Sequence, residues 1–309
     1  MIIRGGCIMA DELFSNKHII SWLQYFSDNT DIDLEHVKLL DITKKNKSLI
    51  PAVEAHRCVL VFTEAGNMDI FYKMWEVGLG DCEVIYNEGS EPAGPIKRDK
   101  VSAMIDRGIN ASAGMIVLNP NARSTVKFGM DNKLFASGSV KYVGSEIRSV
   151  LLSRMQIDEH KNLCVISGES IAVEAAMMCT EGTVIAVEYK SQDRETMEEN
   201  VNQFGLRNVT IVDHVGEDTF TGLPVPDTTM LVASASLEHE LEYLTKLNPA
   251  MDFVIYTLDF KVAANIKDIL ANYGLNDVNI IRIAVSRLKS NNVFEDQPAP
   301  WIITAKAGV

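Results

Sequence analysis

The sequence predicts an α/β protein of two domains, 1–125 and 126–309, the second built around a mostly parallel sheet covered on both faces. Three observations carry this. Short apolar runs alternate with helix-period segments through the second half of the chain, the pattern of strands joined by crossover helices. A length of 309 residues suffices for two cores of ordinary size. The stretch from Asn119 to Gly138 is largely polar and contains Pro120, and it reads as the connection.

In the first domain, His18–Phe26 has helical spacing and Val37–Ile42 reads as a strand. His56–Thr63 is short, rich in β-branched residues and bounded by polar ones, as a buried strand should be. A loop follows at Glu64–Asn67, then a helix at Met68–Val77, which the glycines of Gly78-Leu-Gly80-Asp81 end. Glu83–Asn87 reads as a strand, Lys97–Arg107 as a helix and Gly114–Leu118 as a strand.

The second domain opens with a helix at Gly144–Met155. Strands are predicted at Asn162–Ile166, Thr183–Glu188, Asn208–Asp213, Thr228–Val232, Asp252–Tyr256, Val278–Val285 and Trp301–Ala305. Helices fill the gaps at Ser170–Met178, Ser191–Phe204, Leu237–Lys246 and Phe260–Tyr273. Only the loop Leu288–Pro300 separates the last two strands, which predicts an antiparallel pair at the sheet edge. Five alternating units followed by such a pair is the plan of the Rossmann-like class I S-adenosylmethionine methyltransferase sheet.

Composition excludes several classes of function. The net charge of −13 argues against a nucleic-acid partner, since phosphate recognition needs basic surface. No apolar run approaches the length of a membrane span. Met1–Ala10 holds one arginine and no long apolar stretch, so no signal peptide is expected. The cysteines Cys7, Cys58, Cys82, Cys164 and Cys179 are scattered and form no CxxC, which suits reduced thiols in a cytoplasmic protein.

The chemistry is expected in the unit Asn162–Tyr189, NLCVISGESIAVEAAMMCTEGTVIAVEY. In an open α/β sheet the ligand lies beyond the strand C-termini. The loop Ser167, Gly168, Glu169 and Ser170 would turn backbone N–H groups and a helix N-terminus toward an anionic part of a nucleotide cofactor. Glu188, at the tip of the second strand, stands where an acid accepts ribose hydroxyls. The loop has one glycine where such loops usually have more. A non-glycine residue forced into the left-handed region costs roughly 1–2 kcal/mol. Glu169 also brings negative charge toward the carboxylate of S-adenosylmethionine. Together these predict weak or absent binding, since a loss of roughly 3–4 kcal/mol turns a micromolar Kd into about a millimolar one.

Two other chemistries lack the residues they need. Gly168-Glu-Ser170-Ile-Ala172 has the outline of a nucleophile elbow, but Ala172 replaces its glycine and no histidine follows His239. Glu238-His239-Glu240 and the lone His214 do not make a metal site, because adjacent helical residues point different ways, and none is expected.

Residues from about Met130 to Ala307 resemble the methyltransferase that methylates and decarboxylates precorrin in cobalamin biosynthesis. The resemblance rests on Glu174-Ala-Ala176, Gly182-Thr-Val-Ile-Ala-Val-Glu188, Asn200–Asn208, Leu223-Pro-Val-Pro-Asp227, Ala284-Val-Ser286-Arg287 and Pro300-Trp-Ile-Ile-Thr304. From about Ser21 to Leu118 the chain resembles the C-terminal half of precorrin-6Y methylase, a tetrapyrrole methylase often fused ahead of the first enzyme. The carriers there are Leu23-Gln-Tyr-Phe26, Leu34-Glu-His-Val37, Ile50-Pro-Ala-Val53, Val61-Phe-Thr63 and Gly78-Leu-Gly-Asp81, with a partial match at Thr63, Gly66 and Asn67.

The resemblance implies S-adenosylmethionine as cofactor, with Val215 and Gly216 joining its site where the family has Gly-Asp-Ala. The family's glycine-rich segment after the next strand stands here as Ala233–Ser236. A precorrin would be the substrate, bound at Ser286 and Arg287. Its carboxylates would find basic counterparts in Arg282, Lys289, Lys141 and Arg148. The resemblance implies a homo-oligomer, a tetramer, and assigns no catalytic residue. The alternative function is that of a non-catalytic paralogue: a scaffold, a subunit or a tetrapyrrole-binding protein.

Overall fold

The computed structural model describes residues 16–43, 47–64, 69–105, 113–122, 128–138 and 143–307. Gly66, Asn67 and Lys141 lie outside the described residues. The chain divides into one unit of Met1–Lys44 and Ala52–Ser124 and a second of Lys45–Pro51 and Thr125–Val309.

The N-terminal elements are α1 (Asn16–Asn29), β1 (Lys38–Asp41), α2 (Leu49–Ala55), which the division between the units cuts after Pro51, β2 (Cys58–Phe62), α3 (Asp69–Glu76), β3 (Glu83–Tyr86), β4 (Lys97–Lys100), α4 (Val101–Met104) and β5 (Gly114–Leu118). Their sheet order is β1-β2-β5-β3-β4, and only β1 and β2 run parallel. Trp22 and Phe26 of α1 pack with Leu60, Phe62, Ile85 and Ile116. The expected helix at Lys97–Arg107 is a correction. Lys97–Lys100 pairs antiparallel with β3, Tyr86 opposite Lys97 through Glu83 opposite Lys100, and the helix is the single turn that follows. Pairing along a vacant edge outweighs helical propensity there, and four charged residues suit an edge strand.

The second unit adds α5 (Ser145–Met155), β6 (Leu163–Ile166), α6 (Glu169–Met178), β7 (Val184–Val187), α7 (Ser191–Gln203), β8 (Val209–Val212), α8 (Glu217–Phe220), β9 (Thr228–Val232), α9 (Leu237–Leu247), β10 (Asp252–Thr257), α10 (Phe260–Ala271), β11 (Leu275–Arg282), β12 (Ser286–Leu288), β13 (Phe294–Asp296) and β14 (Trp301–Ala307). The sheet order is β11-β14-β10-β9-β6-β7-β8. Strands β6 to β10 are parallel neighbours, and β14 slots antiparallel between β10 and β11. This is the Rossmann-like plan with its terminal antiparallel pair. The central strands are buried on both faces, which is why they read as unbroken apolar runs. The order reverses between β6 and β9, so the switch point lies beyond the C-terminal ends of those two strands.

The stretch Leu288–Pro300, expected as a plain loop, forms part of a hairpin: β12 pairs with β13, Ser286 opposite Asp296. Leu288, Val293 and Phe294 on it are exposed. Leu275–Arg282 begins three residues before the expected strand, because its pairing with β14 extends to Leu275 opposite Ala307.

Candidate functional site

The site is built where β6 and β7 end. Ile166 and Val187 are paired at the last rung, and the Ser167 N–H donates to the Val187 carbonyl at 3.0 Å. Ser167 then takes φ +56°, the left-handed conformation that a glycine adopts without cost. Gly168 caps α6 with its carbonyl, which accepts from Ile171 and Ala172 at 2.8 and 2.9 Å. It must be glycine for space: a Cβ there would lie 2.7 Å from Cγ1 of Val165. The one glycine of the loop thus serves packing, and a serine carries the strained turn.

Glu169 opens α6, and burial leaves it 6 % exposed. Its Oε2 accepts a long hydrogen bond, 3.4 Å, from the Gly138 N–H, and its Oε1 has no partner. Glu188 stands one residue beyond β7, only 1 % exposed, and its Oε1 is also unpartnered. Asp193, in the first turn of α7, is buried beside them. Carboxylate oxygens of Glu169, Glu188 and Asp193 lie within 4.8 Å of one another.

The titration of the two glutamates reflects this crowding. Burial pushes the Glu188 carboxyl up to about 8, with the charges of Glu169 and Asp193 adding to it against a hydrogen bond from the Gly168 backbone. Burial likewise lifts Glu169 to about 7, Asp193 adding to it and the Gly138 N–H opposing. The sequence marked Glu169 and Glu188 but not Asp193. The available signal was its place in the first turn of the helix after β7, shortly beyond Glu188.

A strap formed by residues 128–138 runs up to Glu169 and Asp193. Arg148 of α5 anchors it. The guanidinium is fully buried and donates to Glu174 Oε1 at 2.6 Å, to Asn132 Oδ1 at 2.8 Å and to the Met130 carbonyl. Glu174 in turn accepts from the Gly129 and Met130 N–H groups at 2.6 and 3.0 Å. Further along, Asn200 of α7 bonds both backbone groups of Ala136, and Phe135 is buried under the Arg148 guanidinium, 4.8 Å away. The strap ends against the carboxylates: a Cβ on Gly138 would lie 2.3 Å from Glu169 Oε1 and 2.7 Å from Asp193 Oδ1.

The remaining expected residues fall elsewhere. Arg148, expected to meet substrate carboxylates, is corrected: its charge is consumed inside the core by Glu174. Ser170 is buried, and its Oγ accepts from Arg148 at 3.4 Å, which does not activate it as a nucleophile. The Val215 side chain belongs to the core beside Ile185 and Leu231, so only its backbone can face a ligand. Gly216 caps α8. His214 is exposed between Asp213 and Asp218, whose hydrogen bonds raise its pKa. In the loop Ala233–Ser236, Ser234 Oγ accepts from the Ser236 N–H. His239 and Glu240 do not come together as ligands: Glu240 is buried and accepts from the Tyr189 hydroxyl at 2.5 Å.

Near the hairpin, Arg287 is exposed and binds both carboxylate oxygens of Glu146, at 2.6 and 2.7 Å. Ser286 donates to Asp296, Lys289 pairs with Glu295 at 2.6 Å, and Arg282 lies 5.3 Å over the Trp301 ring. Each expected substrate-binding group there already has a partner within the chain.

A family model described as precorrin methyltransferase domain matches residues 137–297, just over half of the chain. The chain belongs to this family. Two solved structures share the fold. One is precorrin-6Y C5,15-methyltransferase from Geobacter metallireducens GS-15, 23 % identical, with a TM-score of 0.54 over 59 % of this chain and 98 % of that one. The other is precorrin 8W decarboxylase from Methanobacterium thermoautotrophicum, 18 % identical, with a TM-score of 0.51 over 58 % of this chain and 100 % of that one. No curated protein sequence matches. The family match begins at the strap's last residues and takes in β6, β7 and all three buried carboxylates.

Proposed function

We propose that the chain serves cobalamin biosynthesis as a precorrin methyltransferase-domain protein whose S-adenosylmethionine site is closed. It acts as a non-catalytic paralogue, a subunit or scaffold, and it transfers no methyl group. The observation that carries this reading is the burial of Glu188 beside Glu169. Ribose hydroxyls need an ionised, reachable acid at this strand tip. Here the acid is buried, among carboxylates that favour its protonated form. The residues present do not fit the cofactor. The hairpin cations point the same way, since Arg287 and Lys289 are paired with Glu146 and Glu295.

A second reading is a working S-adenosylmethionine-dependent precorrin methyltransferase. One observation favours it: Glu188 keeps its place at the β7 tip, and a single 3.4 Å hydrogen bond ties Gly138 to Glu169. The two readings separate in an assay of labelled methyl transfer from S-adenosylmethionine to precorrin acceptors. The first predicts no transfer above an enzyme-free control. Multiple turnovers would overturn it in favour of the second.

The first unit is proposed to be a partial tetrapyrrole methylase-like domain, on the residues from Leu23 to Asp81 that carry that resemblance.

A further inference from the structure

We propose that Glu169, Glu188 and Asp193 form a binding site for one oxygen-preferring divalent cation of the magnesium, manganese and calcium class. The inference rests on the reading that a nucleoside ribose does not occupy this space. Acidic clusters are common, and this one is singled out by burial together with unmet bonding capacity. Glu169 Oε1 and Glu188 Oε1 are shielded from solvent and accept no hydrogen bond. Holding an ionised carboxylate in that condition costs several kcal/mol. Among the described residues, no basic side chain is bonded to the carboxylate of Glu169 or of Glu188. The backbone N–H groups of Gly138 and Gly168 satisfy part of the two carboxylates, and the N-terminal ends of α6 and α7 add favourable dipole. These lower the cost of ionisation when a cation takes the place of the retained proton, and they leave two oxygens over.

The spacing fits a cation. One oxygen from each residue lies within 4.8 Å of the others. Metal–oxygen distances of about 2.0–2.6 Å place ligand oxygens roughly 3–5 Å apart, from adjacent to opposite corners of the coordination shell. An all-carboxylate set favours magnesium, manganese or calcium over zinc or copper, which prefer nitrogen and sulfur. Such an ion would leave one net negative charge on three carboxylates and join the first turns of α6 and α7 to the tip of β7.

The test uses the full chain stripped with chelator, titrated with manganese alone near neutral pH. Free manganese is read by electron paramagnetic resonance and unfolding by thermal scan. The expected result is one bound ion per chain, displaced by magnesium or calcium, with a raised unfolding midpoint. Glu188→Gln and Asp193→Asn should weaken binding by about 10–100-fold or more. Glu169→Gln takes the place of either variant that fails to fold. Absence of manganese binding, or binding unchanged in the folded variants, overturns the inference. A parallel titration with S-adenosylmethionine separates the two readings. If neither ligand binds, the cation site fails and the closed-site reading stands; tight S-adenosylmethionine binding removes the closed-site reading itself.

Discussion

Replacing Glu188 with glutamine should stabilise the metal-free protein at alkaline pH. Glu188 titrates near 8 in the folded chain, against an ordinary value of 4.5. The folded state therefore keeps a proton that the unfolded chain gives up. For a carboxyl raised in this way, stability is greatest below the unfolded value and falls as pH rises toward the folded one. The loss thus runs from about pH 4.5 to pH 8. A single independent group shifted this far would contribute about 4–5 kcal/mol at 1.36 kcal/mol per pH unit. Glu169 is raised in the same cluster, so Glu188 carries only part of it, and about 2 kcal/mol is expected. Glu188→Gln keeps the shape, removes the ionisation and adds an amide N–H that can reach a neighbouring carboxylate. Urea denaturation in chelator should show the variant more stable than the parent by about 2 kcal/mol near pH 8 and nearly equal near pH 4.5. A variant no more stable than the parent near pH 8 would refute the burial argument.

Arg148→Met should cost about 3–5 kcal/mol, because it leaves Glu174 as an unpaired buried charge, and Arg148→Met with Glu174→Met should recover most of the loss. Urea denaturation of the single and double variants measures this, and a single-variant cost under about 1 kcal/mol contradicts the buried-pair account. Ser167→Gly should stabilise by about 0.5–1 kcal/mol, the relief of left-handed strain less the added freedom of the unfolded chain; destabilisation by the same assay would contradict it. Ser167→Gly with Glu169→Gly should improve S-adenosylmethionine binding by calorimetry if the loop is at fault, whereas unchanged binding would place the block in the strap. The exposed hairpin residues Leu288, Val293 and Phe294 make a homo-oligomer the expected assembly. Sedimentation at micromolar concentration should give a multiple of the monomer mass, and a monomer would contradict it.

Legibility in the sequence followed the range of the forces involved. The unit from Leu163 to Glu188 could be read because both strands are buried on two faces and Gly182 punctuates the chain between them. β4 could not, because its strand state comes from pairing with β3, which local composition does not encode. The strap was legible only as a polar connection. Its order depends on Arg148 and Glu174, which lie 26 residues apart and meet at 2.6 Å. Both were visible in the sequence, Arg148 as a substrate cation and Glu174 as a family signature, and nothing local paired them. Glu169 and Glu188 were marked by their places after β6 and β7. Asp193 completed the cluster only when the fold set the first turn of α7 against them.

Calorimetric titration of the unmodified, metal-free chain with S-adenosylmethionine near neutral pH tests the central claim most directly. A closed site, with Glu169 and Glu188 buried, predicts no measurable heat of binding or a Kd of about a millimolar or weaker. A Kd below about a micromolar would contradict the account and restore the chain to the working methyltransferases of its family.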